Sequence, residues 1–237
     1  MRRGLLIAAI LGFAALCGAA EARPPVVVEL FTAQGCSSCG RASADLSRLA
    51  DEKGVLALTF AVDYWDYLGW KDTFAKPEFT ERQKAYAKRL GVADVYTPQV
   101  VVDGRLQSPA VKTDDVEALV REARRAPLDQ PQMRLRGDRV AVGSGRRPPD
   151  GAEIWLVRYD PRAQTVEVKD GDNRGQTVTE RNVVAQLERL GSWRGRPVLV
   201  AMPPPPEDGL KTVVLLQGDE GGKILGVLAS DDKTPSP

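Results

Sequence analysis

Two cysteines separated by two residues are the side chains of this sequence best suited to covalent chemistry. Cys36 and Cys39 stand in the stretch GCSSC, which follows an apolar run and precedes residues with helical spacing. At the amino end of a helix, unpaired backbone N–H groups and the helix dipole stabilise a thiolate. We therefore predict that Cys36 is the attacking thiolate and the more exposed sulfur, and that Cys39 is the resolving thiol.

Two other uses of these cysteines stay open, an inert disulfide and a metal site. A crosslink across so short a loop removes little entropy from the unfolded chain, which argues against a purely structural purpose. The sequence contains no histidine, and two sulfurs cannot complete a tetrahedral zinc site. We expect no metal and no cofactor other than a redox-active Cys36–Cys39 disulfide. Cu(I), which accepts two soft ligands, is the one ion kept as an alternative.

The first 22 residues have the pattern of a cleavable signal peptide. Two arginines precede an apolar run, and the sequence AEA, ending at Ala22, has the small-residue spacing of a cleavage site. Cleavage there predicts a periplasmic or secreted protein with no membrane span after processing, and it removes Cys17. Cys36 and Cys39 then remain as a pair in an oxidising compartment, where a disulfide is the default state.

The charge pattern narrows the class of partner. The formal net charge is +1, and the charged residues, 27% of the chain, form no basic or acidic block. This pattern excludes the electrostatic signature of nucleic-acid binding. The partners expected from the cysteines are a protein or small thiol substrate and an unidentified redox partner.

Alternating strand-like and helix-like segments surround the cysteine pair. A β-branched run before the pair predicts a strand, apolar residues at helical spacing after it predict a helix, and Val55–Val62 predicts a second strand. A helix is predicted over Thr80–Leu90, followed by a strand that ends at an Asp-Gly turn and a helix that begins near Thr113. This alternation predicts an α/β domain over residues 23–127.

Beyond a proline-containing linker the pattern changes to short strands and glycine-rich turns. Residues 131–230 are predicted to form a mostly β accessory domain, and residues 231–237 a disordered tail. One stretch, ERNVVAQLERLGSW, suits a strand or a helix. The turn GDNRG (Gly171–Gly175) is predicted to hold Asn173 and its glycines at positive φ, or else to line a site between the domains.

Three motifs carry a resemblance to known proteins. The order strand, CxxC, helix and strand, followed by VYTPQVVVDG, resembles the thioredoxin superfamily. More narrowly, VELFTAQGCSSC, VDYWDYLGWKD and VYTPQVVVDG are similar to an exported thioredoxin-like family catalogued as a domain of unknown function, number 1223. The stretch GDNRGQTVTERNVV extends this similarity into the second half of the chain.

The resemblance implies a fold, an activity and further site residues. It implies a thioredoxin-like domain followed by the β-rich domain, and thiol–disulfide oxidoreductase activity through Cys36 and Cys39. It also implies a cis peptide bond between Thr97 and Pro98, with Pro98 shaping a substrate groove beside the cysteines. A non-catalytic binding module built on a thioredoxin scaffold is the alternative.

Glu29 is the one polar residue in the apolar run before the cysteines. A buried carboxylate there would have a raised pKa and could accept the proton of Cys39. Thioredoxins carry a buried acid on the corresponding strand, although the spacing here is one residue longer. The resemblance therefore makes Glu29 a candidate for proton transfer.

The stretch DYWDYLGWKDTF (residues 63–74), hereafter the aromatic loop, is the most aromatic part of the chain. Tyr64, Trp65 and Trp70 combine apolar rings with polar tips, a composition that suits a recognition groove and equally a small packed core. Together with Thr97, they are the residues predicted to line a substrate groove.

Overall fold

The computed structural model describes residues 23–127, 130–205 and 209–229. The predicted signal peptide (1–22) and tail (231–237) lie outside these ranges. Within them, no helix is long and apolar enough to cross a membrane.

The described ranges form three α-helices and thirteen strands. The first half contains β1 (Val26–Thr32), α1 (Cys39–Leu49), β2 (Val55–Ala61), α2 (Pro77–Leu90), β3 (Gln99–Val102), β4 (Leu106–Ser108) and α3 (Thr113–Arg125). The second half contains β5 (Met133–Arg136), β6 (Arg139–Val142), β7 (Ala152–Asp160), β8 (Gln164–Glu167), β9 (Thr177–Glu180), β10 (Val183–Trp193), β11 (Val198–Ala201), β12 (Lys211–Gly218) and β13 (Ile224–Ala229).

Strands from both halves share one mixed sheet, in the order β13-β12-β7-β10-β2-β1-β3-β4. β1 and β2 are parallel, and β3 runs antiparallel to β1. The halves meet where β10 pairs with β2 in parallel, at Val183 and Thr59. The prediction of an α/β protein is thus confirmed as a mixed α/β fold with one large sheet.

β1 is buried along its whole length because helices cover both faces of the sheet around it. Val28 and Leu30 point into the apolar layer under α1 and α3. Phe31 points to the opposite face, where its ring stacks on Phe60 at 5.4 Å between centroids. β1 therefore forms the rigid base from which the cysteine segment emerges.

The predicted elements of the first half are present with small shifts at their ends. α2 begins at Pro77 rather than at Thr80, whose hydroxyl instead donates to the carboxylate of Asp63 at 2.6 Å. It ends at Leu90, and the following Gly91 has a φ of 68°, as expected for a glycine stop. The Asp-Gly turn after β3 is confirmed, with positive φ at Asp103 and Gly104.

The stretch that suited a strand or a helix forms the long strand β10. Pairing with β7 along most of its length outweighs the helical spacing of its apolar residues. Two register shifts in this pairing, one between Val184 and Gln186 and one between Arg189 and Gly191, bend the strand away from a regular ladder.

Candidate disulfide site

Cys36 and Cys39 form a disulfide between the end of β1 and the start of α1. Cys39 is the first residue of α1, and Cys36 lies in the turn before it, where its carbonyl accepts the N–H of Cys39 at 3.1 Å. The first turn of α1 contains no acidic residue. The disulfide therefore lies at the amino end of this helix, whose dipole favours negative charge.

Both cysteines are buried, with 1% of Cys36 and 2% of Cys39 exposed. The prediction that Cys36 is the more exposed sulfur is wrong. Tyr64 and Trp65 of the aromatic loop pack against the apolar cluster that contains both cysteines. A Cβ placed on Gly35 would lie 3.9 Å from the Cβ of Trp65, so Trp65 lies directly over the segment leading into the disulfide.

Gln34, which sequence reasoning missed, fastens the aromatic loop to this segment. It is completely buried. Its backbone N–H donates to Asp72 at 2.6 Å, and its side-chain amide donates to the hydroxyl of Thr73 at 2.8 Å. Its side-chain oxygen accepts the indole N–H of Trp70 at 2.9 Å. Trp70 therefore reaches the site through a polar contact that its sequence setting did not reveal.

The turn GDNRG contributes to the same site from the second half of the chain. The side-chain amide of Asn173 donates to the backbone carbonyl of Gln34 at 2.7 Å, and Asn173 is buried. The positive φ angles of the turn are at Gly171 and Gly175, so the prediction of a left-handed Asn173 is wrong. The turn does not require a left-handed backbone at Asn173. The side chain of Asn173 bonds to the backbone of Gln34 instead.

The expected cis bond between Thr97 and Pro98 is present. Phe31 of β1 pairs with Gln99 of β3, so Pro98 lies beside the end of β1 from which the cysteine segment emerges. Tyr64 lies in the same region, and burial raises the pKa of its hydroxyl to about 12, with the side chains of Gln83 and Thr97 beside it. The structure therefore places Pro98, Thr97 and Tyr64 at the sheet end that carries the disulfide.

Glu29 is buried on β1 and forms an ion pair with Arg82 of α2. The distance from Arg82 Nη2 to Glu29 Oε1 is 2.6 Å, and both side chains are almost completely buried. The guanidinium also donates to the hydroxyl of Tyr86 at 2.9 Å and to the side-chain oxygen of Gln217 at 3.0 Å. Glu29 thus lies in a charge-paired network joining β1, α2 and β12, and its transfer of a proton from Cys39 stays a prediction.

Glu180, at the end of β9, is a second buried carboxyl group that the sequence did not mark. It is 1% exposed, and neither of its carboxyl oxygens has a hydrogen-bond partner among the described residues. Burial raises its pKa to about 8, and the negative charge of Asp72 adds to this effect. Glu180 therefore holds a proton at neutral pH.

Within the described ranges, no group of three or more histidine, cysteine, aspartate or glutamate side chains is arranged to hold a metal ion.

Comparisons with known proteins give a family but no activity. A family model described as "Protein of unknown function (DUF1223)" matches residues 27–217. No curated protein matches the chain.

Two solved structures resemble this fold over most of the chain. One is the crystal structure of Protein AGR_C_4864 from Agrobacterium tumefaciens, whose sequence is 32% identical to this chain. The match covers 89% of this chain and 95% of that protein, with a TM-score of 0.65. HBP35 of Porphyromonas gingivalis is 13% identical, with 90% of this chain and 78% of its own covered and a TM-score of 0.54. The second likeness concerns the fold alone.

Proposed function

Because the chain belongs to the family described as protein of unknown function (DUF1223), whose description assigns no reaction, we propose a function from the disulfide site itself. The protein is a thiol–disulfide oxidoreductase that acts through Cys36 and Cys39. In this proposal residues 23–127 form a thioredoxin-like domain, and residues 131–230 form a β-rich accessory domain that completes the site. In the same proposal residues 1–22 are a cleaved signal peptide, and the protein acts in the periplasm or outside the cell.

The observation that carries the proposal is the position of the disulfide between β1 and the first residue of α1. A cysteine thiolate released there is stabilised by the N–H groups and dipole of the helix end. Thiol–disulfide exchange depends on the stability of the leaving thiolate, so this position favours exchange over a purely structural crosslink.

The reaction follows from this arrangement. A substrate thiolate attacks Cys36 Sγ, the Cys36–Cys39 bond breaks, and Cys39 leaves as a thiolate that takes up a proton. A second substrate thiolate attacks the substrate sulfur of this mixed disulfide and releases Cys36. The substrate is oxidised to a disulfide, and the protein gains two electrons, which a redox partner removes. The same steps in reverse reduce a substrate disulfide.

Pro98 and Thr97, beside the end of β1, are proposed to border the substrate segment during exchange. Tyr64, Trp65 and Trp70 are proposed to border its other side, once the aromatic loop has moved from the disulfide that it covers. This movement is required because both cysteines are buried in the oxidised protein.

The test uses the full chain from residue 23. Its reduction potential is measured against glutathione, together with its reduction of insulin disulfides. Cys39→Ser is expected to accumulate mixed disulfides in a periplasmic extract, whereas the matched variant Cys36→Ser traps none. A potential below about −300 mV, with no insulin reduction and no trapped partner, would show that the disulfide is an inert crosslink.

A further inference from the structure

Arg158 of β7 is a buried cation in the second half of the chain. It is 8% exposed. Its Nη1 donates to the side-chain oxygen of Gln186 at 3.1 Å, and its Nη2 donates to the carbonyls of Pro203, at 3.1 Å, and Pro204. Its Nε–H is buried and has no partner among the described residues. The guanidinium is therefore fixed in place with one donor unsatisfied.

The positive charge of Arg158 is not balanced by an acid in the part of the chain that the structure describes. No carboxylate there forms an ion pair with it. Glu188 accepts from the side chain of Gln186 at 2.9 Å instead. A buried charge costs free energy unless an opposite charge compensates it. An anion bound beside Arg158 would therefore stabilise the folded protein.

Arg158 also lines a cavity of about 470 Å³, hereafter the Arg158 cavity. Met202, residues 203–205 and Leu210 form its apolar wall. Thr212, which pairs directly with Arg158 in the sheet, adds a hydroxyl group to the lining. Pockets that bind small molecules have this size, ~300–1,000 Å³, and combine apolar walls with a few polar groups.

The proline run at residues 203–205 holds the guanidinium in this wall. Proline has a carbonyl acceptor but no N–H donor, so consecutive prolines present acceptors only. Arg158 bonds to two of these carbonyls. The start of the run is fixed as well, since the N–H of Met202 donates to the carbonyl of Asp138 at 2.8 Å. The wall is thus bonded both to β7 and to the turn between β5 and β6, and a ligand would meet a preformed site.

We propose that the Arg158 cavity binds a small organic carboxylate with an apolar body. A guanidinium carries more N–H groups than the bonds above use, and it matches a carboxylate in charge and geometry. Met202 and Leu210 suit the apolar body of such a ligand. The side chain of Asp138 also lines the cavity, so a second carboxylate on the ligand would be repelled and an ammonium group attracted. The proposal does not depend on the function of the disulfide.

The test titrates the full chain from residue 23 with 4-methylpentanoate, octanoate and 3-phenylpropanoate, followed by isothermal titration calorimetry. The amide of each acid keeps its shape and lacks its charge. At least one carboxylate is expected to bind about tenfold or more tightly than its amide. If none of the three binds more tightly than about 1 mM, the proposal is overturned.

Leucine, which is 4-methylpentanoate with an added α-ammonium group, distinguishes two sources of the carboxylate. Tighter binding of leucine, lost in Asp138→Asn, would identify an amino acid as the ligand. Tighter binding of 4-methylpentanoate would identify a simple carboxylic acid. Either order supports the proposal, because the carboxylate is common to both.

The variant Arg158→Met removes the buried charge and keeps an apolar side chain. It is expected to weaken carboxylate binding about tenfold or more. Arg139→Met, on the exposed side of β6 and outside the cavity lining, makes the same change of charge and is the matched control. It should bind as the wild type does. Equal affinities of Arg158→Met and the wild type would overturn the proposal.

A second variant keeps the test decisive if Arg158→Met does not fold. Leu210→Trp fills the cavity without changing any charge and is expected to weaken binding to a similar extent; an unchanged affinity would overturn the proposal. Glu207→Gln combined with Asp208→Asn tests whether the chain supplies the anion itself. Carboxylate binding by this double variant but not by the wild type would also overturn the proposal.

Discussion

The carboxylate of Asp72 accepts the backbone N–H of Gln34 across 2.6 Å, so the aromatic loop is bonded to the segment that leads into the disulfide. The side chain of Gln34 adds contacts with Trp70 and Thr73, and its carbonyl receives the amide of Asn173. Every polar group of Gln34 is thus bonded to the aromatic loop or to the turn that carries Asn173. The segment that leads into the disulfide is therefore fixed by polar contacts from both halves of the chain.

Truncating Gln34 is expected to uncover the disulfide. Gln34→Ala removes the side-chain bonds to Trp70 and Thr73 and leaves the backbone bonds in place. We expect reduction by tris(carboxyethyl)phosphine to become several-fold faster, since opening requires fewer bonds to break. Gln176→Ala, at an exposed glutamine directly after the turn GDNRG, is the matched control. An unchanged rate for Gln34→Ala would show that its side chain does not fasten the loop.

Replacing Glu180 is expected to change how stability depends on pH. Its pKa rises on folding from the ordinary value of 4.5 to about 8. Glu180 therefore lowers the free energy of unfolding as the pH rises between these values, by about 1.4 kcal/mol for each unit of pH. Glu180→Gln removes this loss and should be the more stable protein above pH 8.

Urea unfolding of the two proteins at pH 4, 6 and 8.5 measures this difference directly. Using the difference removes the contributions of other acids, such as Asp160, whose pKa is lowered by Arg162. The stability advantage of Glu180→Gln is expected to grow from near zero at pH 4. A constant difference across this range would contradict a buried, protonated Glu180.

Breaking the Glu29–Arg82 ion pair is expected to destabilise the protein strongly. Arg82→Met leaves the buried carboxylate of Glu29 without its partner, a change that typically costs about 3–5 kcal/mol. The double variant Glu29→Gln with Arg82→Met should recover much of this loss, because no charge remains buried. Urea unfolding of the wild type, the single variant and the double variant measures these free energies.

A lysine on the same helix provides the control for this measurement. Lys84 pairs with Glu81 on the exposed side of α2, so Lys84→Met should leave the free energy of unfolding nearly unchanged. If Arg82→Met lowered the free energy of unfolding as little as Lys84→Met, the buried network would contribute little to stability.

Gly104 is expected to tolerate no side chain. It has a φ of 63°, and a Cβ there would lie 2.5 Å from the carbonyl oxygen of Gly222. Gly91 has a similar φ of 68° but open space around it. Gly91→Ala should therefore lose about 1 kcal/mol from backbone strain alone. Gly104→Ala should lose clearly more in thermal or urea unfolding; equal losses would show that the contact with Gly222 relaxes freely.

Most features that could be predicted from the sequence depend on residues that lie close together in the chain. The cysteine pair, the helix after it and the buried strand before it each depend on neighbouring residues, and the structure contains them all. The cis bond at Pro98, which the resemblance implied, is also present. The aromatic loop was also predicted to be part of the site, although its composition could not show that it bonds to Gln34.

The missed residues owe their roles to distant partners. Gln34 meets Asp72, 38 positions away, and Asn173, 139 positions away. In the sequence, Glu180 is an ordinary acidic residue at the end of a strand with alternating side chains. Only packing in the folded protein removes it from water. Local pattern cannot indicate such pairings, because they arise only when the sheet brings the two halves together. For the same reason, the greater exposure predicted for Cys36 was wrong.

The single parallel pairing of β10 with β2 has a consequence for how this chain can be divided. A fragment ending near residue 127 would present the outer edge of β2 as an open row of backbone donors and acceptors, which invites self-association. It would also lack Asn173 and Glu180. The segment that leads into the disulfide would then lose its bond to Asn173, and we expect the first half alone to self-associate through the exposed edge of β2.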